Sequence, residues 1–145
     1  MTPTEILTIA GLIAGMAAFA SILVSKDVTG NALIAAMLSA GFAAFTAVQI
    51  WQDGIVMFWT NHSVNLTGVQ VWWDLIITVM VALFFVAPRA RKQGMNVPLW
   101  GLFVATTASI GLLAMIARLF WLENAAAQTS PQSAAKPAPS SSPAA

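Results

Sequence analysis

The sequence predicts an all-α, polytopic membrane protein: a bundle of four transmembrane helices followed by a disordered C-terminal tail. Three observations carry that prediction. The 145-residue chain is 59% hydrophobic and only 8% charged, whereas soluble domains average about 25% charged residues. With a mean hydropathy of +0.81, it has too little polar surface to cover a water-soluble fold of this size. Its apolar residues gather into runs close to the ~20 that a helix needs to cross a bilayer, and after Asn124 the composition changes abruptly.

The first run, Ile6 to Val24, holds 19 residues without a charge. It predicts a helix over 5–24, capped by Thr2 or Thr4, with Glu5 suited to the positive helix N-terminus. A cleaved signal peptide is the competing reading, because Ala18, Phe19 and Ala20 loosely resemble a cleavage site. No Lys or Arg precedes the run, and a signal peptide begins with a basic segment. A turn over 25–31 with Gly30 and Asn31 follows, and a second helix is expected over 31–51.

The next stretch mixes Trp51, Trp59, Trp72 and Trp73 with Asp53, Asn61, His62, Asn65 and Gly68. Indole rings favour the boundary between bilayer and water, where the ring is buried and its N–H is wet. The stretch therefore reads as a re-entrant or surface-lying connection. A third helix is expected over 70–88, with Asp74 inside its outer end and Pro88 ending it before the basic turn Arg89–Ala90–Arg91–Lys92. A fourth is expected over 98–122, with Pro98 in its first turn and Arg118 near its end. The tail, 125–145, has four prolines and no large apolar side chain, so it cannot bury a core.

Lys26, Arg89, Arg91 and Lys92 fall in the two turns on one side, which predicts a cytoplasmic position for that side. With four helices, both termini then lie outside, with Asp74, Arg118 and Glu123 on the outer side. The location implied is a bacterial inner membrane, given the alanine-rich composition.

Lipid offers no hydrophobic drive for helices to associate, so small residues and hydrogen bonds hold them together. Candidate packing residues are Gly11 and Gly15 in the first helix, Ala36 and Ala40 in the second, and Gly101 and Ala105 in the fourth. A parallel stripe of Ala35, Ser39, Ala43 and Ala47 gives the second helix two such faces. They serve packing within the chain, or contacts with partner subunits or a second copy.

Asp74 and Thr78 share a helix face, which is expected to point into the bundle. Two readings of Asp74 with Arg118 stay open. One is a buried ion pair tying the third helix to the fourth. The other is an outward-opening ligand pocket of Asp74, Arg118, Asp53, Asn61, His62 and Thr78, able to hold a lipid headgroup or a small polar molecule. The chain has no Cys and one His, so disulfides and thiolate sites have no donors and a histidine metal centre would have a single one. No cofactor is expected. A formal net charge of +1 gives no basic footprint for nucleic acid.

The pair Asp74–Leu75, the turn Ala90–Arg91–Lys92–Gln93–Gly94–Met95, and a final helix closing with Arg118 and Glu123 together resemble a family of small bacterial inner-membrane proteins known as a domain of unknown function. The resemblance covers roughly 59–123 and implies a helical bundle in a bacterial inner membrane, with no activity attached. The function expected is a non-enzymatic accessory or assembly subunit of a larger inner-membrane complex. The alternatives are a lipid or isoprenoid binder, or a membrane-embedded enzyme using Asp74 and Arg118, and thirdly a small transporter.

Overall fold

The computed structural model describes residues 2–24 and 30–134, and these are helical almost throughout. Most of the expected 25–31 turn, including Lys26, and the tail beyond residue 134 lie outside the described residues. The order is α1 (Pro3–Val24), α2 (Ala32–Asp53), α3 (Val56–Ser63), α4 (Leu66–Lys92), α5 (Val97–Thr107) and α6 (Ser109–Ala134). Four stretches are long and apolar enough to cross a membrane: Pro3–Val24, Ala32–Asp53, Leu66–Lys92 and Ser109–Thr129. The chain is thus all-α, with four helices of the length and composition that cross a membrane, as the sequence predicts. The chain forms two compact units, residues 1–30 and 31–145, and each is described by itself.

In the first unit, α1 opens on a reciprocal cap. The Glu5 N–H donates to Thr2 Oγ1 at 3.2 Å, and the Thr2 N–H donates to Glu5 Oε2 at 2.8 Å. Two otherwise unpaired helix donors are satisfied in this way. Thr2, rather than Thr4, is the capping residue.

In the second unit, asparagines start three helices. The Asn31 side chain accepts from Ile34 N–H, Asn65 from Gly68 N–H and Asn96 from Leu99 N–H, at 3.1, 2.8 and 3.2 Å. A short side-chain oxygen at the cap replaces the carbonyl that the first turn lacks. The Asn65 cap starts α4 at Leu66, about one turn earlier than the sequence suggests. At its other end α4 does not stop at Pro88 but continues to Lys92. It closes when Met95 N–H donates to the Ala90 carbonyl and Gly94 N–H to the Arg91 carbonyl, both at 3.0 Å. Gly94 takes φ 71° there, a left-handed conformation open to glycine at little steric cost.

The largest difference from the sequence reading is in the last apolar run. The helix expected over 98–122 is two helices, parted at Ala108, and the second continues to Ala134. Residues 125–134, expected in the disordered tail, are helical. The two helices fold back on one another. A Cβ built on Gly111 would stand 2.9 Å from Val104 Cα and from the Phe103 carbonyl oxygen. Seven residues of unbroken helix would set those positions about 10 Å apart. Gly111 thus permits an approach that no other residue allows, a packing role the sequence reading missed.

The core lies where α4, α5 and α6 meet. Val86 and Ala90 of α4, Val104 of α5, and Met115 and Leu119 of α6 are buried, with Leu83, Met95, Trp100, Leu112 and Ile116 packed against them. α2 packs on α6 through a stripe in which Ala35 and Ser39 are buried. The Ser39 hydroxyl donates to the Ile110 carbonyl at 2.9 Å. Ala36 and Ala40, the other small-residue face, are exposed instead. Gly101 is half-buried on α5 and Ala105 exposed. Gly11 and Gly15 lie on one side of α1, in a groove with Thr8, Leu12, Met16 and Phe19.

Candidate functional site

The inward face of α4 is apolar. Leu75, Val79, Ala82, Leu83, Val86 and Ala90 are buried or half-buried, at the three- and four-residue spacing of one helix face. That leaves Asp74 and Thr78, each one position earlier than Leu75 and Val79 and so about 100° round the helix, on the exposed side. The expectation that these two polar groups point into the bundle is overturned. Core formation in this unit follows the larger apolar side chains, whose close packing supplies many small dispersion gains.

Arg118 is exposed and does not meet Asp74. Its guanidinium lies over the Trp121 ring, 4.4 Å from the centroid, close enough for a cation–π attraction. The ion pair of this unit forms elsewhere. Arg89 Nε and Nη2 donate to Glu123 Oε1 and Oε2 at 3.0 and 2.6 Å, a two-pronged geometry suited to the planar guanidinium. Arg89 also lies over the Phe120 ring, 5.6 Å from its centroid. The sequence reading had put Glu123 across the membrane from Arg89. An unbroken helix from Val97 would carry Glu123 about 39 Å away, beyond the reach of any side-chain pair. The reversal at Ala108 brings it back to the same side.

The remaining members of the expected pocket are also separate. Asp53 is exposed at the end of α2, and Asn61 is exposed on α3. His62 is half-buried; its Nδ1 lies 2.7 Å from the Phe58 carbonyl oxygen and its ring centroid 5.8 Å from that of Trp72. The second contact seats α3 on the first turns of α4, where Phe58, Trp59, His62, Ser63, Val69 and Trp72 line a small apolar cleft of ≈160 Å³. No hydrogen bond or ion pair joins any two of Asp74, Arg118, Asp53, Asn61, His62 and Thr78. Among the described residues, no three His, Cys, Asp or Glu side chains gather to hold a metal ion.

The sequence reading missed the Arg89–Glu123 pair and the Ser39–Ile110 bond. One signal for the first was present. Thr106, Thr107, Ala108 and Ser109 put four small residues, three of them hydroxylic, in the middle of an apolar run. Thr106 Oγ1 donates to the Leu102 and Phe103 carbonyls at 3.1 and 3.0 Å, and Thr107 Oγ1 to the Phe103 carbonyl at 2.6 Å. Such back-bonding bends helices. It supplies donors to carbonyls at the end of α5, where the regular ladder stops.

Four helices long and apolar enough to cross a membrane, with exposed apolar side chains such as Leu12, Phe85 and Leu102, define a helical membrane protein. Comparison with family models, with curated proteins and with solved structures finds nothing that matches this chain.

Proposed function

We propose that the chain is a non-enzymatic accessory or assembly subunit of a larger complex in a bacterial inner membrane. The observation that supports this reading is the dispersal of its polar side chains. Arg89 and Glu123 tie α4 to α6, the His62 ring meets Trp72 of α4, and Ser39 ties α2 to α6. These groups position helices, while Asp74, Asp53 and Asn61 remain apart on the exterior. The location draws on the resemblance of residues 59–123 to small bacterial inner-membrane proteins. The Arg and Lys content of the turn after α4 supports a cytoplasmic position for it.

A binder or enzyme acting through Asp74 and Arg118 requires those two groups to converge on one cavity, and no observation favours it. A transporter requires a path lined by polar groups, which this arrangement does not supply. Purification of the native chain in mild detergent tests the proposal: other polypeptides should co-migrate with it in fixed proportion. A clean monomer or simple homodimer overturns the reading.

A further inference from the structure

The C-terminal end of α4 carries a second polar feature, on the side opposite the core. Phe84, Phe85, Ala87, Pro88 and Arg91 line an open groove of ≈360 Å³. Phe84 and Phe85 are 74% and 67% exposed and meet edge to face, their centroids 5.4 Å apart. Phe84, Pro88 and Arg91 recur at helical spacing, as do Phe85, Pro88 and Lys92, so both cations share this side of the helix. Arg89 is already neutralised by Glu123. Arg91 and Lys92 are exposed and make no side-chain bond among the described residues.

We propose that this groove binds one anionic phospholipid, its phosphate held by Arg91 and Lys92 and the upper part of an acyl chain lying along Pro88, Phe84 and Phe85. The order of chemistry along the helix carries the assignment. Two unpaired cations sit at the end of a membrane-crossing helix, and an aromatic wall begins two turns deeper, about 10 Å along the axis. Charge complementarity selects an anion. The apolar wall beside it selects an anion with a hydrocarbon chain over free phosphate, because phosphate would leave that wall uncovered. Basic side chains next to a membrane span attract anionic lipid in this way. The proposal rests on the membrane fold and is independent of whether the chain is an accessory subunit.

Native mass spectrometry of the full chain in mild detergent tests it, with dioleoylphosphatidylglycerol and dioleoylphosphatidylcholine as probes. Phosphatidylglycerol should give a one-lipid adduct at concentrations where phosphatidylcholine does not. The Arg91→Gln/Lys92→Gln variant should weaken that adduct about 30-fold, from roughly 1 kcal/mol per basic side chain, while Arg118→Gln leaves it unchanged. Phe84→Ala/Phe85→Ala should also weaken it, and millimolar inorganic phosphate should not displace the lipid. Circular dichroism confirms that each variant stays helical, and the headgroup comparison on the unaltered chain stands without any variant. Equal binding of the two lipids overturns the proposal. So does an undiminished adduct in the double-glutamine variant, or displacement by inorganic phosphate.

Discussion

Ala108 adopts φ 49°, ψ −117°, close to the first central residue of a type II′ turn, a position dominated by glycine. An alanine Cβ is strained there, and such backbone strain costs of order 1–3 kcal/mol. Ala108→Gly should therefore raise the detergent melting temperature, by about 1 kcal/mol of stability after the entropy of the added glycine is subtracted. Three residues on, the sign reverses. Gly111→Ala places a methyl 2.9 Å from backbone atoms of Phe103 and Val104 that have nowhere to go. Overpacking of this kind costs about 1–3 kcal/mol, more than the helix propensity gained, so the melting temperature should fall. The Arg89–Glu123 pair is half-exposed on the arginine side, at 51%. A double-mutant cycle on Arg89→Gln and Glu123→Gln should give a coupling near the upper end of exposed pairs, about 1 kcal/mol.

At the scale of the element, α4 presents two faces whose substitutions should differ sharply. Asp74 is exposed and forms no ion pair, so Asp74→Asn should leave the melting temperature within about 0.5 kcal/mol of the parent. Had it been the buried partner of Arg118, the loss would reach about 3–5 kcal/mol. The helices themselves were legible, because long apolar runs bounded by Asn, Gly and Pro specify them locally. Which face of α4 turns inward was not legible. Asp74 and Thr78 mark a polar stripe equally well whether it points in or out. The choice fell to Val86 and Ala90, which fit against Val104, Met115 and Leu119. The division of the last run into α5 and α6 was hidden for a related reason. Neither Gly nor Pro stands at Ala108, and the turn exists only because α6 has a surface to pack against on its return.

At the scale of the whole molecule, that reversal changes what lies on which side. Glu123 is bonded to Arg89, so the loop after α4 and the residues following Glu123 share one side. The chain contains no cysteine, which makes the point directly measurable. Single cysteines at Gln93 and Asn124, in sealed vesicles, should show the same protection from a membrane-impermeant maleimide. Opposite protection would mean one unbroken span over 98–122.

The sequence by itself determined that this is a helical protein of the membrane, because apolar run length and charge scarcity are properties of composition that any bilayer reads the same way. It also determined where α1, α2 and α5 begin to within about two residues, since a capping side chain acts on its own neighbours. Only the tertiary structure decided that the final run folds back, that Arg89 rather than Arg118 finds a carboxylate, and that Ser39 rather than Ala36 meets a neighbouring helix. The last two of those outcomes join residues more than 30 positions apart. Such pairings depend on which packed arrangement buries the most close contact, a quantity that exists only once the helices are assembled.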